Sequence, residues 1–305
     1  MLPIKGIKMG LEEKKPPLVS FITWNRMGLT VRNLNALLKT TEDFELHITD
    51  SCSGDCTWEY VLDLCDSRIK SKTRLPANLG PIYAVNHNLS KRAPGQYFVA
   101  MDSDVNIHTP DWVSKFKEAF AAFPEAGLLG AVSGEYYERY RLPYIKHEKD
   151  NTGYMEITRG FVEGCFQCFR PELLDLLGYW CEECCMGDVE ICHRMRNYTG
   201  YKAGYLPAVE IDQLQQVSCG CCEGRKWCRL YGKAPGCFGL RNEKYRNPQF
   251  RQLHGWKYLK CNKDMESGAR GVYRASVHDG AALADKTYDR KLAEENFNYY
   301  KRYSN

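Results

Sequence analysis

The sequence predicts an α/β fold, a mainly parallel sheet flanked by helices, and three observations carry that prediction. Strand-like apolar runs alternate with helical patterns across residues 18–212, the rhythm of a sheet wound with helices on both faces. At 305 residues and 44% apolar, the chain suffices for one large α/β domain or a core domain with an appendage. Its predicted strands end on Asp50, Asp102 and Asp104, at the carboxyl edge where such sheets gather ligands.

Taken in order, "PPLVSFITWNR" gives a first strand, Leu18 to Thr23, too apolar for an exposed edge. A helix follows with Leu29, Leu34, Leu37 and Leu38 on one side, then the alternating "FELHITD" stops at Asp50. "TWEYVLDLCDS" reads as a helix, "ANLGPIYAVNHNLSK" as a loop into a helix, and "QYFVAMD" as a strand. "TPDWVSKFKEAFAAF" predicts a helix with Thr109 as N-cap and Pro110 in its first turn. "AGLLGAVS" returns as a strand, and "GYMEITRGFVEGCFQCFRPELLDLLGYW" as a strand pair leading into a helix between Pro171 and Gly178. "MGDVEICHRMRNYTG" is a helix ending at Gly200 and "YKAGYLPAVEID" a strand. Beyond Leu214 the secondary-structure signals weaken until a terminal helix at about 280–302. The expected organisation is a leader over 1–15, the α/β domain over 16–214, and an extension over 215–305.

"MDSD" poses an electrostatic question, because no Lys or Arg lies within several residues of Asp102 and Asp104. Two carboxylates that close repel unless water screens them or a cation joins them. Asp-x-Asp therefore reads either as an acidic turn before the next helix or as a cation site.

The ordered motifs resemble family 2 glycosyltransferases, which have the GT-A (nucleotide-diphospho-sugar transferase) fold. "VSFITWNR" resembles the family's first strand and turn, "ITDSCSGD" its Asp-containing second strand end, and "ANLGPIYAVNHNL" its Asn-x-Gly segment. "MDSD" resembles the Asp-x-Asp motif, "FVEGCFQCFRPELLDLLGYW" the acceptor-side strand and helix, and "MGDVEICHRMRNYTGYKAGYLP" the Glu-Asp segment. The resemblance covers about residues 18–212. It implies a metal-dependent, inverting transfer of sugar from a nucleoside-diphosphate donor to a hydroxyl.

By that resemblance Asp104 is a direct Mn²⁺ or Mg²⁺ ligand, and Asp102 holds the ribose or a metal-bound water. Such ions favour carboxylate oxygens and water, and a cation on the diphosphate eases its departure. Asp50 would accept from the base, Trp24 would pack beside it or simply fill the core, and Thr23, Arg26, Asn78 and Gly80 would complete the donor loops. The general base falls to Asp188, with Glu190 second, because Gly187 stands where the family has Glu. Asp188 also suits a plain acid in a helix's first turn. Arg194 and Arg196 would pair with these acids or with phosphate. Asp212 takes the place of a family His as third metal ligand, with His254 as a substitute.

Residues 213–274 carry 13 Lys+Arg against 4 Asp+Glu, leaving −5 on the rest of a chain whose net charge is +4. Aromatics interleave with these charges: Trp227, Tyr231, Phe238, Tyr245, Phe250, Trp256, Tyr258 and Tyr273. This pattern suits a groove for DNA, with a hydroxylated base as acceptor flipped from its stack to reach the catalytic acid. A sugar-binding or lipid-pyrophosphate acceptor site would use the same residue types, although the lack of a membrane segment argues against a lipid-linked acceptor. A saccharide or protein acceptor is the alternative, and a solvated basic surface also fits. Of 15 cysteines, Cys219, Cys221, Cys222, Cys228 and Cys237 crowd one glycine-rich stretch that Zn²⁺ could order. Cys181, Cys184, Cys185, Cys192 and His193 form another cluster, with ligand spacing at Cys181-x₂-Cys184. Both clusters read as metal ligands or as free thiols.

No run approaches the roughly 20 apolar residues needed to cross a bilayer, and the first 20 residues lack a signal-peptide pattern, so a cytoplasmic enzyme is expected. A nucleotidyltransferase is the different-class alternative, although no Gly-rich phosphate loop follows the first strand. An inactive nucleotide-sugar-binding module is another, prompted by Gly187.

Overall fold

The structure, a computed structural model, describes residues 15–131, 143–184, 186–213, 219–233, 247–280 and 284–304. Its spine is a nine-stranded sheet in the order β3-β2-β1-β4-β9-β6-β10-β8-β7. The strands are β1 Leu18–Thr23, β2 Glu45–Asp50, β3 Ile69–Arg74, β4 Phe98–Asp102, β6 Ala126–Gly130, β7 Tyr144–Lys149, β8 Thr152–Ile157, β9 Phe166–Phe169 and β10 Lys202–Tyr205. The β3-β2-β1-β4 half is parallel, β9 runs antiparallel between β4 and β6, and β7–β8 form an antiparallel hairpin at the far edge. A small antiparallel pair, β5 Val105–Ile107 with β11 Ile211–Gln213, stands apart beyond β4.

Alternation along β1 explains how one strand serves two cores. Val19 and Phe21 point to one face, where they meet Leu34 and Leu37 of α1 (Met27–Leu38) and the cluster containing Phe116 and Phe120 of α4 (Trp112–Ala122). Leu18 and Ile22 point to the other face, towards Ala84 and Val85 of α3 (Pro81–Leu89), Leu173 and Leu177 of α5 (Pro171–Leu177), and Ile191 and Met195 of α6 (Gly187–Tyr198). A short helix, α2 (Thr57–Asp63), packs on the first face through Val61. Each such Val, Leu, Ile, Met or Phe side chain, fully buried, contributes about 1.5–3 kcal/mol.

Two local expectations change, and one strand lies in a stretch that the sequence reading left unassigned. Thr109 is not an N-cap: α4 starts at Trp112 with Asp111 before it, and the Thr109 hydroxyl accepts from Glu210 N–H at 2.7 Å. The basic "IKSKTR" is a strand, β3, its charges suiting a sheet edge that must not pair further. Within the stretch expected to be irregular, Pro248–Glu266 forms a 19-residue helix, α7, and the terminal helix α8 spans Arg290–Lys301.

The C-terminal helices pack onto the α/β core. Phe297 of α8 meets Tyr83 of α3 edge-on with ring centroids 5.0 Å apart, and Ser304 Oγ accepts from Asn78 N–H at 2.8 Å. Among the described residues, no helix is long and apolar enough to cross a membrane.

Candidate active site

The ends of β1, β2 and β4 meet at one edge, with Thr23 opposite Asp50 and Ile22 opposite Asp102. After β1 the chain turns through two consecutive left-handed residues, Asn25 at φ 55° and Arg26 at φ 62°. Such backbone costs about 1–3 kcal/mol per residue unless neighbours hold it, and it clusters at functional loops. Here the β2–α2 loop holds it: Asn25 N–H donates to Ser53 Oγ at 2.7 Å, and Met27 N–H to Asp55 Oδ2 at 3.0 Å. Gly54 N–H donates to Asn25 Oδ1 at 2.8 Å.

This turn answers the electrostatic question posed by "MDSD". Arg26 Nη1 lies 2.9 Å from Asp104 Oδ2, across 78 residues of sequence. Asp104, expected as the direct metal ligand, is buried beneath Arg26, whereas Asp102 is half-buried on the wall of an adjoining cavity. That cavity has a volume of about 400 Å³. Asp102, Glu163 and Asp188 line it, together with Gln213, Trp180 and Tyr300.

The other expected donor residues are placed as follows. Asp50 is fully buried, accepting from both the backbone N–H and the hydroxyl of Ser53, and burial pushes its carboxyl above the ordinary range. It therefore shapes the loop at the end of β2. The Thr23 hydroxyl bonds that of Thr30 at 2.8 Å, and Trp24 is half-buried just beyond β1. Asn78 Oδ1 accepts from Gly80 N–H at 3.0 Å. Gly80 has φ +92°, and a side chain there would meet the Tyr300 ring at 2.5 Å, so α8 seats directly on this loop.

Asp188 occupies the first turn of α6, where the helix dipole favours an anion. Its carboxylate accepts from Val189 N–H at 2.9 Å and from Gly164 N–H at 3.3 Å. Burial nonetheless pushes its carboxyl above the ordinary carboxylate range, these bonds only partly offsetting it. Beside it, Gly187 has no room for a longer residue, because a Cβ would lie 2.9 Å from Trp180 and 3.1 Å from Ile82.

Four residues with expected site roles lie elsewhere. Glu190 is 1% exposed and ion-paired to Arg194 at 2.9 Å and Arg274 at 3.3 Å, which makes it a structural anion. Asp212 turns to His108 at 2.7 Å; alternation along β11 gives the cavity its neighbour Gln213 instead. His254 is buried between α7 and α8, with its ring 5.8 Å from that of Tyr299. Arg196 is used on backbone, donating to Gly160 O at 2.9 Å.

Sequence reading missed Glu163, Gln213 and Tyr300. Glu163 stood inside the quoted "FVEGC", one residue before the glycine that touches Asp188, but nothing local marked it. The donor set fits a hard divalent cation at Asp102, since Glu163 and Gln213 offer further oxygens on the same cavity.

In the cysteine-rich stretch, Cys222 is buried, Cys228 half-buried and Cys221 exposed; Cys237 and Cys185 lie outside the described residues, as does the Cys219 side chain. Among the described residues these do not converge as a metal-binding group. The thiol of Cys192 instead accepts from Val162 N–H at 3.4 Å.

The glycosyl transferase family 2 model matches residues 19–177, just over half of the chain. The chain belongs to glycosyl transferase family 2. It is a glycosyltransferase. The fold of this family 2 member is similar to that of the mannosyltransferase PcManGT from Pyrobaculum calidifontis, solved in complex with GDP-Man and Mn²⁺. That match has a TM-score of 0.55 and 16% identity, covering 95% of this chain and 74% of that one. S. aureus TarS 1-349 with UDP matches at a TM-score of 0.46 and 17% identity, over 92% and 80% of the two chains. GalNAc-T7 with UDP, GalNAc and Mn²⁺ matches at 0.49 and 14%, over 95% and 56%. No curated protein sequence matches the chain.

Proposed function

We propose that this glycosyltransferase moves a sugar from a nucleoside-diphosphate donor to an acceptor hydroxyl by a single inverting displacement, with Asp188 as general base. The position of Asp188 carries the reading: it lines the same cavity as Asp102, oriented by two backbone N–H groups. A carboxyl raised by burial is better matched to taking a proton near neutral pH than an ordinary one. As the acceptor oxygen attacks the anomeric carbon, its proton passes to Asp188. The bond from that carbon to the phosphate oxygen breaks, and its electron pair leaves with the diphosphate. Asp102 would hold a Mn²⁺ or Mg²⁺ ion, which when bound neutralises charge on the leaving diphosphate. Trp180 and Tyr300 wall the cavity beside these carboxylates.

A hydroxyl on nucleic acid is the second reading of the acceptor. It is favoured by Trp227, Tyr231, Trp256 and Tyr273, which are 42–64% exposed and available for stacking. The basic charge of that region supports it less than its sum implies. Arg229, Lys257, Lys260, Arg270 and Arg274 are each ion-paired within the protein.

The test is incubation with a panel of nucleotide sugars and Mn²⁺, with and without saccharide, protein and hydroxylated-base DNA acceptors. Nucleoside diphosphate release that requires a divalent cation is expected, with inverted product. Release undiminished by chelation overturns the metal role, and retained configuration overturns the displacement. DNA binding that is absent or insensitive to salt removes the nucleic-acid reading.

A further inference from the structure

Cys181 and Cys184 lie in the loop between α5 and α6, and Cys261 comes from α7, 80 residues beyond Cys181. All three are buried, at most 1% exposed, and their sulfurs lie within 4.8 Å of one another. They form a small core cluster of their own, separate from both faces of the sheet. The Cys181 and Cys261 sulfurs are 3.8 Å apart. A disulfide needs about 2.05 Å. A tetrahedral cation with Zn–S bonds of about 2.3 Å sets its sulfurs about 3.8 Å apart.

The surroundings are rich in buried charge. Arg270 pairs with Glu183, whose Oε2 lies 3.7 Å from Cys181 Sγ, and Arg194 and Arg274 hold Glu190 nearby. Thiols packed only as small hydrophobes would not call for such company. Guanidinium groups would, however, stabilise anionic sulfur.

We propose that Cys181, Cys184 and Cys261 bind a thiophilic divalent cation, Zn²⁺ being the ion to test, which fastens α7 to the loop leading into α6. Binding converts three S–H groups to metal thiolates and releases three protons, leaving one net negative charge, which matches the excess of Arg194, Arg270 and Arg274 over Glu183 and Glu190 around the cluster. Asp188 stands four residues beyond Cys184, so the clamp would fix the approach to the catalytic helix from outside the cavity. This inference does not depend on the donor or acceptor assignment.

The intact protein, purified without chelator, is expected to carry about one Zn²⁺ per chain by elemental analysis. X-ray absorption should give Zn–S distances of about 2.3 Å. Cobalt substitution should add sulfur-to-metal charge-transfer absorption. Cys261→Ala should lose the ion, whereas Cys65→Ala, which alters an exposed thiol, should keep it. The spectroscopy on the unaltered protein stands even if Cys261→Ala fails to fold. A metal-free protein that takes up no Zn²⁺ when reduced overturns the proposal. So does undiminished metal in folded Cys261→Ala, or a Cys181–Cys261 disulfide in the protein as isolated.

Discussion

As the proposed general base, Asp188 would accept a proton during transfer yet stay ionised beforehand, and its surroundings would set the pH at which both hold. Its raised carboxyl places the acidic limb of the rate profile above the ordinary Asp value of about 3.9, with activity lost as pH falls through that limb. Asp188→Asn is expected to lower kcat by at least about 100-fold while leaving donor affinity near normal. Calorimetric donor binding beside product formation checks this, and an active variant would remove Asp188 from the role. At Gly187, Trp180 and Ile82 fill the space that a glutamate stem would need. Gly187→Glu should therefore destabilise by about 1–3 kcal/mol, read as a lowered melting temperature, without raising the rate. At this scale the sequence was half legible. Asp102 and Asp188 stood out in motifs, but the partner of Asp104 was hidden, because Arg26 reaches it only through a left-handed turn distant in sequence.

Among the elements, α6 does two jobs with acids two positions apart. The 100° step per residue turns Asp188 to the cavity and Glu190 inward to Arg194 and Arg274. Removing one guanidinium leaves charge buried with less compensation. Arg274→Ala is thus expected to cost about 3 kcal/mol in urea unfolding, and an unchanged midpoint would contradict the anchoring role. The same geometry explains why sequence offered Glu190 as a second base: spacing alone does not say which face of a helix is wet. The apolar runs that predicted β1 and β4 were strong because those strands are buried on both sides, as is β2, which was read from its alternation. Helix α7 was obscured for the opposite reason, its stretch mixing basic and aromatic residues without a clear stripe. Edge strand β3 was equally hidden, since its lysines obey the needs of an edge rather than a core.

For the molecule as a whole, the C-terminal segment and the core share buried titratable groups, which couples folding to pH. Burial, reinforced by Lys91, holds His47 down at about 4, and burial with His87 does the same to His278, which contacts Tyr83. The unfolded chain binds these protons near pH 6.5 and the folded one only near 4. Their contribution to stability is therefore present above about 6.5 and lost as pH falls towards 4. Buried carboxyls such as Asp50 and Glu190 are raised and act in the opposite sense, so the comparison must be with a variant. His47→Gln should melt with a shallower acid dependence than the unaltered protein; parallel curves would refute the assignment. The seating of Tyr300 on Gly80 has a consequence for the order of events during translation. Asn78 and its partner Ser304 are 226 residues apart, so at about 5–20 residues per second the loop before α3 waits some 10–45 s for the Tyr300 wall. Ribosome-bound chains ending before α8 should show a formed parallel sheet but, on the proposed function, fail to retain a nucleotide sugar; retention by such chains would contradict a part for Tyr300 in the cavity.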